Sequence, residues 1–390
     1  MHIAPLFHTQ YVEAKGCMLV NQGGSGNFIE KGRITSRQMA MLLFTLIIST
    51  IDVYMPAVVA GVAGRDAWIA VILAVLYALI IWAVAIALAS RFPRQTIIHY
   101  SRELLGPLLG SLVGILQVIF FFFIGASITR ILADIMKTSF MPYTPMVVFT
   151  ISVMLVASYA ASGGLEVIAR LNEILLPLGL AALIFVGFGS LPQVDFGNFL
   201  PVMEQGLGPV NWGGVVLVSI LAEIVIVLML YPYLSDQTRA GVNGLWALLG
   251  LGAAMQIGVL AIGLFTAEVT AAMNFPALEM VRAIRLGPLM THPDVVIVAV
   301  WVGGIFIKLA LLYYVVTLGL AQWLGLNSYQ FLLAPVGIWM VVYSLVAYHS
   351  LADFWVLETK VFPGYALFHT FLIPLFLLLV AWVRGLGAKS

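Results

Sequence analysis

The stretch RQMAMLLFTLIISTIDVYMPAVVAG, residues 37–61, decides how the rest of the chain is read. It is apolar except for a central knot, Ser49-Thr50-Ile51-Asp52, followed by Tyr54 and Pro56. About 20 such residues cross the hydrocarbon of a bilayer as one helix. An ionisable group at the centre of a span costs about 2.5–3.5 kcal/mol on insertion scales, so Asp52 calls for a partner, water or a proton. Proline lacks an amide hydrogen and pushes the preceding residue out of helical geometry. Thr50 and Asp52 also offer the backbone competing hydrogen bonds. These features predict a break around residues 50–55, tolerable at that depth only beside a cavity or inside protein. A simple proline kink is the plainer alternative.

Nine more long apolar runs follow, at about 67–90, 110–138, 145–163, 168–190, 213–234, 243–270, 295–323, 331–349 and 365–384. None alternates in the way barrel strands do, so all ten read as helices. The composition agrees. Of 390 residues, 62% are hydrophobic and 9% charged, against about 45–50% and 25% in a soluble domain. This excludes a soluble enzyme and a disordered regulator. A net charge of +1 leaves no basic footprint for nucleic acid. The single cysteine, Cys17, excludes a disulfide framework and a cysteine-held metal. Metalloprotease, nucleotide-loop and hydrolase-elbow motifs are absent, so neither catalytic residues nor a cofactor are expected.

Residues 1–32, with a Gly-Ser tract at 23–26, read as a disordered cytoplasmic tail, and residues 33–390 as one transmembrane domain. With the N-terminus inside, eleven Lys and Arg fall on the cytoplasmic side and six outside, which places both termini in the cytoplasm. Residues 92–108 read as a short amphipathic helix at the cytoplasmic interface. The outer connections 191–212 and 271–293 are long enough to act as gates, and the second contains a helical pattern from Ala277 to Leu286.

Two further ionisable residues sit mid-span, Glu223 in the sixth run and Lys308 in the eighth. They pair, hold a ligand, or only fix helix packing; the spacing leaves all three open. Ser219 to Glu223 puts a polar patch in the sixth run, with Ala222 beside the acid. Two interrupted helices, each opening a set of five, fit a five-plus-five inverted repeat over about 37–190 and 213–384. Facing half-helix ends suit a zwitterion such as an amino acid. Phe120 to Phe123 cover every face of the third helix, so at most one or two line a pocket, and Phe122 is the candidate. Arg130 and Asp134, at i and i+4, read as a structural pair. The candidate ligand residues are Ser49, Thr50, Asp52, Tyr54, Phe122, Ser219, Ala222 and Glu223, with Lys308 as an ion or proton site.

Several motifs in one order resemble a known family. They are Asp66-Ala67-Trp68-Ile69, the segment Phe199 to Val210 with Glu223 and Tyr231-Pro232-Tyr233, the run Phe275 to Arg282, and Trp301 with Lys308. Over roughly residues 31–385 the chain resembles the spore germination permeases, the B subunits of nutrient germinant receptors. The resemblance implies a LeuT-like fold of ten transmembrane helices with broken first and sixth helices. It implies residence in the spore inner membrane, partnership with A and C subunits, and a small nutrient bound mid-membrane. In LeuT-like transporters a cation bridges the first and eighth helices, so the Lys308 ammonium is placed to stand in for it or to carry a proton. The chain lacks the Gly-x-Gly of related transporters in its first span, and Asp52 there favours a more basic or less anionic ligand. A proton- or sodium-coupled amino acid transporter is the alternative function.

Overall fold

The computed structural model describes residue 30, residues 32–284 and residues 293–387. The tail expected over residues 1–32 lies almost wholly outside the described residues, as does the end of the expected outer helix, which runs Pro276–Ala283. Seven helical stretches are long and apolar enough to cross a membrane. The first of these, Ser36–Arg91, is two helices, Ser36–Ala63 and Ala67–Arg91, joined by a 3-10 turn at Gly64–Asp66. Two shorter apolar helices, Met146–Ser162 and Gln330–Val346, complete ten segments among the described residues. In chain order the others are the third (Ile97–Ser139), fifth (Gly164–Ser190), sixth (Leu207–Tyr233), seventh (Ala240–Phe265), eighth (Pro293–Leu324) and tenth (Leu351–Val383).

The first helix starts on a capping box. Thr35 Oγ1 accepts from Gln38 N at 3.1 Å, and Gln38 Oε1 accepts from Thr35 N at 2.9 Å. This satisfies amides that a helix end otherwise leaves open. The segment before it is stitched to the end of the sixth helix. Ile34 N donates to Tyr233 O, and Asp236 accepts from both Ser36 N and Ser36 Oγ at 2.6 Å. Partial burial pushes the Asp236 carboxyl up, but the Ser36 hydrogen bonds outweigh it and hold the group below its ordinary value. Gln237 reaches Pro93 O at 2.7 Å, so the second helix returns to the face where the first began. Arg33, Arg91, Arg102 and Arg384 cap backbone carbonyls on that same face, here called the basic face.

The expected interfacial helix is the first arm of the third helix. Gly106 (φ 83°, ψ 175°) breaks that helix just before Pro107. The arm doubles back so closely that Ser101 Oγ donates to Gly110 O at 2.9 Å. A Cβ on Gly110 would stand 2.3 Å from Ser101 O, so only glycine permits the fold-back.

One expectation about helix breaks is corrected, and the other is met in the sixth helix. The first helix runs unbroken from Ser36 to Ala63 with Pro56 inside it. A proline removes one intrahelical hydrogen bond. Here every residue from Ser49 to Ala60 is buried, and the surrounding packing holds the remaining ladder in place. The sixth helix is the irregular one. It is α-helical over Leu207–Leu221, becomes 3-10 over Ala222–Ile226, makes one α turn over Val227–Leu230 and ends 3-10 over Tyr231–Tyr233. The β-branched run Ile224-Val225-Ile226-Val227 is a poor α former, which favours the change. A 3-10 stretch inside a longer helix often marks a hinge. The tenth helix also differs, starting at Leu351 instead of 365, with π-helical turns at Leu357–Val361 and Phe368–Leu372.

Candidate functional site

The first helix packs against the sixth, seventh and eighth, which brings the mid-span polar residues to one depth. Two neighbouring faces of the first helix do different things. On one face Thr50 Oγ1 accepts from Lys308 Nζ at 2.9 Å. Lys308 is wholly buried, and its Nζ lies 2.8 Å from Glu223 Oε2. The angle of that second contact is outside hydrogen-bond geometry, so it is a close ion pair without a well-aligned hydrogen bond. Thr50, Lys308 and Glu223 thus tie the first, eighth and sixth helices together. Glu223 sits inside the 3-10 stretch, where the backbone departs from α geometry.

Further along the first helix, Tyr54 OH donates to Glu358 Oε1 of the tenth helix at 3.3 Å. Glu358 is buried, 6% exposed, and close enough to Glu223 and Lys308 for their charges to act on it. The Tyr54 ring packs on Phe354 (5.8 Å) and Trp355 (5.4 Å). Toward the face opposite the basic one, a cleft of about 380 Å3 opens above this group. Its lining includes Ala57 and Val58 of the first helix, Trp212 of the sixth, and Trp355, Thr359 and Lys360 of the tenth.

The second face of the first helix carries Thr45, Ser49 and Asp52, spaced so that all three line one small cavity of about 50 Å3. Leu175 to Leu183 of the fifth helix, and Val300, Trp301 and Gly304 of the eighth, close it. Thr45 Oγ1, Ser49 Oγ and Asp52 Oδ1 are buried and have no hydrogen-bond partner among the described residues. The cavity has room for water, which these three polar atoms are placed to hold. Gly258 of the seventh helix backs onto Asp52; a Cβ there would lie 2.7 Å from Asp52 Oδ1.

The residues singled out from sequence therefore divide. Thr50, Tyr54, Glu223 and Lys308 converge with Glu358, while Ser49 and Asp52 face the small cavity. Ser219 Oγ is turned back onto Val216 O at 2.6 Å, and Ala222 contributes the first residue of the 3-10 stretch. Phe122 is not with them: it packs edge-on against Tyr343 of the ninth helix, and Phe120 and Phe121 are the buried members of the run. Arg130 bonds Asp134 at 3.1 Å, caps Ser344 O and Leu345 O, and lies over the Tyr348 ring. That is a structural clamp between the third and ninth helices. No group of three or more His, Cys, Asp or Glu able to hold a metal occurs among the described residues.

Glu358 and Thr45 were missed from sequence. Glu358 falls in residues 350–364, where Asp353, Lys360 and Pro363 lower the apolarity and the stretch reads as a loop. Ser350-x-x-Asp353 ahead of Phe354-Trp355-Val356-Leu357 was the available signal. It forms a capping box, with Ser350 and Asp353 bonded reciprocally.

Comparisons with known proteins agree with this architecture. The crystal structure of MhsT in complex with L-phenylalanine superposes with a TM-score of 0.65 at 14% identity, covering 91% of this chain and 99% of that one. The inward-facing conformation of Mhp1 gives a TM-score of 0.52 at 14% identity, over 88% of this chain and 78% of that one. At such identities the likeness is one of fold, and the fold is LeuT-like. Spore germination protein KB of Bacillus subtilis (strain 168) is 26% identical over 375 residues, 93% of this chain and 98% of its own length. Spore germination protein XB of Bacillus anthracis is 23% identical over 328 residues, 82% of this chain and 90% of its own. The family model described as spore germination protein matches residues 33–350, and this multi-pass membrane chain belongs to that family.

Proposed function

We propose that the chain is the membrane subunit of a spore nutrient receptor. It binds a small nutrient of the amino acid kind mid-membrane and triggers germination together with A and C subunits. In this reading the basic face is cytoplasmic, both termini lie there, and the nutrient arrives from the opposite face. The observation that carries the reading is the buried Thr50–Lys308–Glu223 bridge, anchored in the 3-10 stretch of the sixth helix. Opposite charges held out of solvent are sensitive to any charged group brought beside them. A ligand that reorganises the bridge shifts the sixth helix, whose end at Tyr231–Tyr233 is bonded to the segment before the first helix. Displacement at that face is the signal available to partner subunits.

The test is spore germination with Glu223→Gln in place, scored against nutrient concentration with protein levels matched. A rightward shift of at least about tenfold is expected if Glu223 serves the response. Unchanged nutrient sensitivity would overturn the role of the bridge. A second reading, an ion-coupled amino acid transporter, is favoured by the fold. A Na+-coupled sialic acid symporter superposes with a TM-score of 0.63 over 87% of this chain. Substrate accumulation by the chain alone in sealed vesicles would establish that reading over the receptor.

A further inference from the structure

The buried ionisable groups within the spans do not balance. Among the described residues Asp52, Glu223 and Glu358 are buried acids, Lys308 is the buried base opposite them, and Arg130 is taken up by Asp134. Lys308 lies against Glu223. Glu358 has no ion-pair partner among the described residues, and its hydrogen bond is a single 3.3 Å contact from Tyr54 OH. A buried carboxylate with one long neutral donor is poorly satisfied, and a cationic donor binds it far better.

Its position gives the missing cation a place to come from. Trp355 is part of the cleft wall, and its ring packs on Tyr54, whose hydroxyl reaches Glu358. Ala57 and Val58 continue the Tyr54 face of the first helix outward into that cleft. Tyr54 and Trp355 thus separate an open, largely apolar cleft of about 380 Å3 from a buried carboxyl group. A cleft of that size, mostly apolar and aromatic with Thr359 and Lys360 among its lining, suits a small organic molecule.

We propose that Glu358 is the counter-ion for the ammonium group of a small amine-bearing ligand whose apolar body lies in the cleft beside Trp212 and Trp355. The inference rests on the receptor reading and names the substrate class of its site. The ligand amine replaces the Tyr54 hydroxyl on Glu358. Its added positive charge then acts on Glu223 and Lys308, whose fields reach Glu358. No covalent bond moves, and any proton held by Glu358 leaves to solvent as the ammonium docks.

The experiment is equilibrium binding to the full chain in detergent or nanodiscs, with the common amino acids as probes. Each binder is compared with its own des-amino carboxylic acid and its own decarboxylated amine. The expected pattern is retention of the decarboxylated amine and a strong weakening, without complete loss, of the des-amino acid. Glu358→Gln is expected to weaken amino acids and amines by about tenfold or more, and to leave the weak binding of des-amino acids unmoved. A side chain that only supports the fold would weaken all three classes together. Tyr54→Phe removes the competing hydroxyl and is expected to tighten amine binding severalfold, which keeps the test alive if the Glu358 variant folds poorly. Des-amino acids binding as well as amino acids, or Glu358→Gln binding amines unchanged, would overturn the inference and leave the receptor reading standing. Failure of every probe to bind the unaltered chain would overturn the inference, and unchanged nutrient sensitivity in Glu223→Gln spores would separately overturn the role of the bridge in the receptor reading.

Discussion

Thr50 and Asp52 are two residues apart on one helix and meet opposite fates. Thr50 faces Lys308, which Glu223 neutralises, so its side of the helix is electrically closed. Asp52 faces a small cavity with Thr45 and Ser49, and its Oδ1 has no partner. Successive residues on a helix are turned about 100° from one another, so a short polar knot in the sequence distributes over several neighbours. The compensated face is a structural bridge whose charges depend on each other. The uncompensated face holds a carboxyl group whose Oδ1 has no partner within the described residues.

The contrast is broken most sharply at Lys308. Lys308→Met strands Glu223 in the interior and is expected to cost about 3–5 kcal/mol, seen as a large drop in the melting temperature of the purified chain. Adding Glu223→Leu should restore most of it. A double variant that melts as low as the single one would show that the two charges do not depend on each other. Gly258→Ala comes next. Its methyl would fall 2.7 Å from Asp52 Oδ1, so a loss of about 1–3 kcal/mol is expected. The loss should shrink in an Asp52→Ala background, as a double-mutant cycle would reveal; full additivity would mean the two do not touch.

Asp52→Asn should act with the opposite sign to Lys308→Met. Replacing an unpaired buried acid by its neutral isostere is expected to gain about 1 kcal/mol. A drop in melting temperature comparable to that of Lys308→Met would mean Asp52 has a charged partner after all. The smallest effect lies on the basic face, at Asp236. Its carboxyl is held below the ordinary value by Ser36, so its stabilisation is present above the unfolded value, about 3.9. It is lost as pH falls through the lower folded value. Asp236→Asn should therefore cost under about 1 kcal/mol at neutral pH, and the difference from the unaltered chain should begin to shrink near pH 4 and vanish only below the lower folded value. A difference that grew on acidification would reverse the assignment.

The cleft opposite the basic face and the basic face itself differ in a related way. On the basic face the chain before the first helix is sewn to the sixth and seventh helices by Ile34, Ser36, Asp236 and Asn243. On the opposite face Arg65 and Asp66 hold the loop after the fifth helix through Leu200 O and Met203 N, yet a cleft stays open between the first, sixth and tenth helices. One end is closed and the other keeps an open cleft, the asymmetry on which the proposed receptor reading draws.

The run of apolar residues by itself determined the membrane location, the helical class and the approximate number and order of spans. The bilayer leaves an apolar backbone no other hydrogen-bonded form, so length and hydropathy are sufficient. Sequence also marked Glu223 and Lys308 as mid-span charges, because an ionisable side chain in hydrocarbon stands out against any apolar background. The tertiary structure decided what those charges meet. It kept the first helix whole around Pro56, because burial on all sides outweighed one lost hydrogen bond, and it put the irregularity in the sixth helix instead. It carried Glu358 into the interior, through a helix that begins at Leu351 in a stretch too mixed in polarity to read as a span. Hydropathy reports how far a segment prefers lipid to water. Which carboxylate lies beside which ammonium depends on helix rotation and packing, and neither is written in any one segment.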